Sequence, residues 1–230
     1  MSYLKAFQRP FQDLKKLTLG AILSGIPVLN VLTGLFVTGY TAECARLTFH
    51  QKNNLPEWKN FLELFKNGFF VSIIWIVYCL PLFLVLLILL FRGVETFLQE
   101  TNPEAFTQHL LQQNTYYLLL LAVLFLLTWY IALGAVFRYI THYRFKDAFQ
   151  INTLLSQTFN PPYFKAWSVA FLYTLLISVV LQALFSTFKS ENILLGLVYN
   201  LFAGYLTFIA ATTSMTIVGE AWKNVNKKRH

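Results

Sequence analysis

Four long apolar runs that contain no formal charge constrain this chain more than any other feature of its sequence. They cover residues 69–91, 116–137, 166–188 and 193–218, and none of them contains Asp, Glu, Lys or Arg. A helix needs about 20 mostly apolar residues to cross the hydrocarbon core of a bilayer. The runs are apolar all round, whereas the strands of a membrane barrel alternate polar and apolar residues. The sequence therefore predicts an all-α, polytopic membrane protein with four full transmembrane helices.

The composition excludes an ordinary soluble protein. Hydrophobic residues make up 57% of the 230 residues and charged residues 12%, about half the usual charged share of roughly 25%. A soluble domain of this length cannot hide so much apolar surface. The net charge is +8, and the basic residues lie between the runs, where they set orientation and meet anionic lipid. We therefore expect membrane lipids as partners, anionic on the cytoplasmic side, and no nucleic acid.

A fifth apolar stretch, residues 17–40, differs from the other four because helix-breaking and polar residues interrupt it. These are Gly20, Gly25, Pro27, Asn30, Gly34 and Gly39. Two short helices, 17–25 and 31–40, would each cover about half of a bilayer at 1.5 Å per residue. This pattern predicts an N-terminal re-entrant hairpin, whose broken tip is tolerated only where other helices cover it.

The distribution of Lys and Arg favours a hairpin that re-enters. Four basic residues lie before residue 17, four in 41–68, four in 138–165 and four after residue 218, with one after the first span and one after the third. If the hairpin re-enters, sixteen of the 18 basic residues lie on one side. If it crosses, the best split is twelve against six. The positive-inside rule favours the first arrangement, with both termini in the cytoplasm, and five or six spans remain the alternative.

Two connecting segments and one span carry further helix signals. Leu55-Pro56-Glu57-Trp58 predicts the start of an interfacial amphipathic helix over 55–67, because Pro and Glu suit the first turn. Its apolar face meets lipid or the hairpin. Asn102-Pro103 predicts a short helix through residue 113. Pro81 lies inside the first span, where it should kink the helix.

No catalytic or metal-binding constellation stands out in the sequence. The four histidines are scattered, and there is no H-E-x-x-H, Walker A or G-x-S-x-G motif. We therefore expect no enzymatic activity, cofactor or metal. Polar groups inside the membrane are the default functional candidates. Here they are Asn30, Gln182, Asn200, Thr207, Thr212 and Thr213. We expect the hairpin tip to dock against the last two spans, with a hydrogen bond from Asn30.

A set of short motifs resembles a known family. They read Phe7-x-x-Pro10-Phe11-x-Asp13, Gly39-Tyr40, Leu55-Pro56-Glu57-Trp58, Leu64-Phe65-x-x-Gly68, Leu80-Pro81 and Gly219-Glu220-Ala221-Trp222. The pattern is similar to that of a family of multi-pass membrane proteins, mainly archaeal with bacterial members, catalogued as a domain of unknown function. The resemblance implies a multi-pass protein in the cell membrane of an archaeon or bacterium, and no activity. A weaker likeness in layout links the chain to membrane domains that accompany glycerophosphodiesterases.

Together these features predict a single integral membrane domain over residues 1–230. Its expected role is non-catalytic: structural, accessory or lipid-interacting, with a homo-oligomer or a membrane-protein partner left open. The alternative is a small transporter or channel-like permeation protein. That function needs a hydrated cavity reaching mid-membrane, lined by Asn30, Gln182, Asn200 or the threonines.

Overall fold

The structure is a computed structural model that describes residues 3–26, 30–52, 54–99, 103–188 and 193–227. Within these residues the regular elements are all helical. They are two short 3-10 helices, Arg9–Gln12 and Phe145–Phe149, and α1 Tyr3–Gln8, α2 Leu14–Gly25, α3 Asn30–Phe49, α4 Phe61–Gln99, α5 Pro103–His142, α6 Ile151–Thr158, α7 Pro161–Phe188 and α8 Ile193–Lys227.

The predicted polytopic all-α architecture is confirmed. Four helices are long and apolar enough to cross a membrane, over Phe61–Phe91, Thr115–His142, Pro161–Ser186 and Leu195–Asn226. They belong to α4, α5, α7 and α8, and each contains most or all of one of the four charge-free runs.

Two helices are longer than the sequence predicts. The short helix expected over 103–113 is the N-terminal part of α5, which continues to His142. The second hairpin helix, expected to end at Tyr40, continues as α3 to Phe49. Neither continuation contains a Gly or Pro at the expected boundary. Helix propagation therefore proceeds past the point where the apolar pattern changes.

The chain divides into two compact units, Met1–Ile73 with Gly134–His230, and Ile74–Leu133. In the first unit α8 is the central helix, because α2, α3 and α7 all pack against it. The hairpin helices α2 and α3 also contact each other. The gap between them, residues 27–29, includes Pro27 and lies outside the described residues.

Glycines allow the hairpin helices to approach their neighbours at backbone distance. A Cβ on Gly39 of α3 would lie 1.9 Å from the Leu64 carbonyl oxygen, and one on Gly68 of α4 would lie 1.8 Å from that of Leu35. On the other side of the hairpin, a Cβ on Gly204 of α8 would lie 2.3 Å from the Ala21 carbonyl oxygen. Small residues at crossings are the usual means of close helix packing in membranes.

The second unit contains the C-terminal part of α4 and the N-terminal part of α5. The rings of Trp75 and Trp129 meet edge to face at 6.2 Å, and Phe125 packs against Trp129 at 5.3 Å. Apolar side chains line a groove of about 440 Å³ between the two helices. Pro81 lies inside α4 near this groove, with its side chain exposed.

Candidate functional site

A buried arginine connects four segments of the first unit. Arg9, in the first 3-10 helix, is 1% exposed. Its Nη1 donates to the Cys44 carbonyl oxygen at 3.0 Å, to Thr216 Oγ1 at 2.9 Å and to Thr48 Oγ1, while its Nη2 donates to the Asn54 carbonyl oxygen at 3.0 Å. The guanidinium therefore joins the N-terminal segment to α3, to the loop after α3 and to α8.

The charge on Arg9 is stabilised by neutral oxygens, since all of its hydrogen-bond acceptors among the described residues are carbonyls and hydroxyls. Cys44 lies in the second half of α3, where the carbonyls point towards the negative end of the helix dipole. Burial lowers the pKa of Arg9 by desolvation, but a guanidinium stays protonated in proteins. Its Nε has no hydrogen-bond partner in the described part of the chain.

A lysine and two carboxylates form a second link to the same loop. Asp13 caps α2 by accepting from the backbone N–H groups of Lys15 and Lys16, at 3.1 and 3.2 Å. Lys16 Nζ donates to the Leu55 carbonyl oxygen at 3.2 Å and to Glu57 Oε1 at 2.8 Å. The backbone hydrogen bond from Lys16 lowers the pKa of Asp13, and the side-chain hydrogen bond from Lys16 lowers the pKa of Glu57. The bond to Glu57 raises the pKa of Lys16.

An aromatic stack covers the loop from the hairpin side. The ring of Trp58 lies over that of Tyr40 at 4.0 Å and nearly parallel to it, and Phe208 of α8 packs against both rings. Trp58 Nε1 donates to the Lys16 carbonyl oxygen at 3.1 Å, and Tyr40 Oη donates to the Pro56 carbonyl oxygen at 3.1 Å. The three rings thus bring together the hairpin, the loop and the last span.

The prediction that a helix starts at residue 55 is wrong. Residues 55–60 are not helical, and α4 begins at Phe61. The carbonyl oxygens of Asn54, Leu55 and Pro56 accept from the side chains of Arg9, Lys16 and Tyr40. These donors satisfy the carbonyls without helical hydrogen bonds, and Asn60, at φ 55°, turns the chain into α4. Asn tolerates this left-handed conformation better than most residues.

Of the polar residues predicted to lie at the hairpin tip, those whose side chains the structure describes are spread along α7 and α8. Gln182 and Thr207 are exposed, while Thr212 and Thr213 are buried in α8. Asn200 lies close to the hairpin through its backbone, because a Cβ on Gly25 would lie 2.7 Å from its carbonyl oxygen. The side chain of Asn30 lies outside what the structure describes. Docking of α2 and α3 on the last span is therefore a helix–helix contact.

Most of the remaining motif residues lie in packed positions. Phe65 of α4 packs on Phe36 of α3 at 5.3 Å. Gly219 lies against α3, because a Cβ there would be 3.0 Å from the Ala45 carbonyl oxygen. Pro10 is buried and Phe11 is exposed. The Trp58 and Phe65 rings thus face the hairpin, which is one of the two predicted positions for this segment.

The sequence reasoning missed Arg9 and Lys16 as members of the site. Both were counted only as topology-determining charges. The available signal for Arg9 was its place inside the Phe7–Asp13 motif, directly before Pro10. A basic residue there can turn inwards only if enough acceptors surround it, and all four of its acceptors, at residues 44, 48, 54 and 216, are distant in sequence.

One family comparison bears on this arrangement. A family profile described as "Protein of unknown function (DUF4013)" matches residues 22–186, which is more than half of the chain. The chain belongs to the DUF4013 family. The predicted resemblance to a family of unknown function is confirmed. A comparison with curated proteins gave no match, and a comparison with solved structures gave none.

The DUF4013 match covers only part of the site. It includes Tyr40, the loop with Trp58, and the Gly39–Gly68 crossing. It begins after Arg9 and Lys16 and ends before α8. Two of the three donors to the loop carbonyls, Arg9 and Lys16, thus come from outside the matched segment, while Tyr40 and the carbonyls that accept from all three come from inside it.

Proposed function

We propose that this chain is a non-catalytic integral membrane protein with a structural, accessory or lipid-interacting role. The proposal rests on the exposed apolar surface of its spans. In the most apolar 18-residue stretch of α4, and in that of α7, only 6% of the residues are buried within the chain. The mean hydropathies of these two stretches are 3.0 and 2.1. Apolar surface of this extent needs a cover of lipid or of another membrane protein.

The donors of the candidate site support a structural role. Arg9, Lys16, Tyr40 and Trp58 each donate to a backbone carbonyl oxygen of a distant segment. A donor that satisfies a buried carbonyl stabilises the fold, because leaving that carbonyl unpaired costs about 1–3 kcal/mol. The polar chemistry at this end of the helices is therefore used to hold the hairpin, the loop and α8 together.

The hydrogen bonds also support the proposed topology, with both termini in the cytoplasm of an archaeon or bacterium and a hairpin that re-enters. Arg9 reaches the loop after α3 and the last span. Arg138 donates to Gln157 at 2.6 Å, and Gln157 donates to Asn226 at 2.8 Å. Segments from all four large basic groups thus belong to one unit, which favours a shared side of the membrane.

The test is purification in a lipid-preserving polymer, followed by mass spectrometry of the bound lipids and proteins. We expect enriched lipids or a stoichiometric membrane protein. Reconstitution into sealed proteoliposomes serves as the opposing measurement. A solute flux that depends on the protein and changes in Asn30→Leu, with the fold intact, would overturn the proposal in favour of a permeation function.

A further inference from the structure

A polar pocket lies where the loop over 54–60 meets the first turns of α4. Its volume is about 470 Å³. Its lining comes from α3, the loop and α4, and includes Glu43, Lys52, Glu57, Lys59, Glu63 and Asn67. The pocket lies at the end of the α4 span, whose apolar window starts at Phe61.

The lining carries three carboxylates and three basic side chains, and two of the carboxylates are held by close donors. Glu43 is engaged by Arg46 at 3.1 Å and by the hydroxyl of Tyr143, and Glu57 is engaged by Lys16 at 2.8 Å. The side chain of Lys52 makes no ion pair within the described residues, and Lys59 Nζ lies 4.0 Å from Glu57 with 77% of its side chain exposed. The ammonium group of Lys59 is thus only loosely paired, that of Lys52 makes no ion pair among the described residues, and Glu63 is the third carboxylate of the lining.

Further donors lie at the same pocket. Asn67 is 6% exposed, and its Oδ1 accepts from Tyr139 Oη at 3.3 Å. This bond leaves its Nδ2 group without a partner among the described residues. The positive end of the α4 dipole also lies here, since the helix begins at Phe61, next to the lining residue Asn60. Ammonium groups and N–H donors together suit a phosphate oxygen.

Exposed apolar side chains lie directly beside this polar lining. Phe61 and Leu62 lie between the lining residues Asn60 and Glu63 in the chain, and Leu62 is 84% exposed. A soluble phosphate ester has no apolar chain that could contact these exposed side chains. A lipid has an anionic headgroup joined to acyl chains, so it matches both the pocket and its surroundings.

We propose that this pocket binds the phosphodiester headgroup of an anionic membrane lipid of the phosphatidylglycerol class. Lys52, Lys59 and the Asn67 amide bind the phosphate, while Glu63 accepts hydrogen bonds from the headgroup hydroxyls. The acyl chains run along Phe61 and Leu62. The inference rests on the proposed lipid-interacting function and names the lipid and the place.

The experiment is native mass spectrometry of the full-length, delipidated protein titrated with phosphatidylglycerol or phosphatidylcholine. Four proteins are compared: wild type, Lys52→Gln, Lys59→Gln and the matched control Lys165→Gln, an exposed lysine outside the pocket. We expect wild type and Lys165→Gln to retain one phosphatidylglycerol in preference to phosphatidylcholine. Each pocket variant should bind it about tenfold more weakly, as expected for the loss of one charge-assisted contact.

Three outcomes overturn the inference. Equal weakening in Lys165→Gln would indicate attraction to general surface charge, and equal competition by the soluble headgroup, glycerophosphoglycerol, would indicate a free phosphate ester. Unchanged circular dichroism melting of Lys59→Gln, whose side chain is largely exposed, shows that a binding loss is not misfolding. If phosphatidylglycerol binding is the same in all four proteins while bulk lipid still co-purifies, the pocket fails and the proposed function stands. A protein-dependent solute flux overturns the proposed function whatever the pocket binds.

Discussion

At the scale of single residues, stability in the first unit depends on side chains that donate to the loop over 54–60. Arg9, Lys16 and Tyr40 satisfy three successive carbonyl oxygens, and Trp58 covers Tyr40. Each of these donors belongs to a different turn or helix from its acceptor. The loop conformation is therefore a tertiary property, and changes to the donors or to Trp58 should destabilise the whole unit.

Replacement of Trp58 by Ala should lower the free energy of unfolding by about 2–4 kcal/mol, because the ring stacks on Tyr40 and donates to Lys16. Trp58→Phe keeps a stacked ring and should lose only about 1 kcal/mol, the net value of one hydrogen bond. Thermal melting in a mild detergent measures both. Phe11→Ala, at an exposed motif position, is the control and should melt like wild type. Equal melting of Trp58→Ala and wild type would contradict a structural role for the stack.

Acid should weaken the link between α2 and the loop. Hydrogen bonds from Lys16 are the main reason why the pKa of Glu57 and the pKa of Asp13 lie below their usual values in the folded protein. A lowered pKa stabilises the fold above the unfolded-state pKa, and this stabilisation is lost as the pH falls through the folded value. Stability should therefore decline below about pH 4.5, with a shallower decline in Glu57→Gln.

The measurement is the melting temperature of wild type and Glu57→Gln between pH 7 and pH 3. The difference between their slopes should shrink in 1 M salt, because both carboxylates lie at the surface and are screened. Parallel slopes at low salt would show that the Lys16–Glu57 pair contributes nothing to folding.

At the scale of the elements, the hairpin helices are fixed by backbone contact. The Gly39–Gly68 crossing leaves no room for a methyl group beside the carbonyl oxygens of Leu64 and Leu35. Membrane helices gain stability from close packing of this kind, since lipid removes the hydrophobic drive for association.

Gly39→Ala should destabilise the protein by about 1–3 kcal/mol, because the new Cβ meets a backbone atom and α3 must move away from α4. The control is Gly196→Ala in α8, where a Cβ meets nothing within 4 Å. That variant should be neutral or slightly stabilising, since Ala favours a helix over Gly. The measurement is the stability of both variants in guanidine or thermal unfolding. Similar losses of stability in the two would mean that α3 and α4 are not in close backbone contact at Gly39.

The spans were predictable from sequence, and the loop was not. Absence of charge over 20 residues is a local property that the bilayer itself enforces. The conformation of residues 55–60 instead depends on hydrogen-bond donors that are distant in sequence. Pro56 and Glu57 suit a first helical turn, but the side chains of Arg9, Lys16 and Tyr40 compete for the same carbonyls. This competition involves residues far apart in the chain, so no local sequence pattern predicts it. The same is true of the hydrogen bond from Arg9 to Thr216 in α8.

At the scale of the whole molecule, the chain divides into two compact units, and the second contains parts of α4 and α5. The unit Met1–Ile73 with Gly134–His230 contains the hairpin, the candidate site and the polar pocket. The unit Ile74–Leu133 contains apolar parts of α4 and α5, and the groove between them is lined by Leu, Phe, Ala and one Cys. We expect the first unit to set topology and the second to contact lipid or a partner.

Topology can be measured by cysteine labelling in a Cys44→Ala, Cys79→Ala background. Single cysteines at the exposed positions Lys5, Gln51 and Asn224 should share one side, opposite to a cysteine at Ser190. The expectation follows from the distribution of basic residues and from the contacts of Arg9 with residues 54 and 216. Opposite labelling of Lys5 and Gln51 would mean that the hairpin crosses the bilayer.

The central place of α8 has a consequence for the order of events during synthesis. The hairpin helices leave the ribosome well before α8, the helix that packs against them through Phe208 and Gly204 and bonds Arg9 through Thr216. About 170 residues separate the end of α2 from the start of α8, which at 5–20 residues per second is a delay on the order of 10–30 s. During that interval Arg9 and the broken hairpin have no partner from α8. The nascent chain must therefore hold α2 and α3 at the membrane surface or within the insertion machinery until α8 has been made.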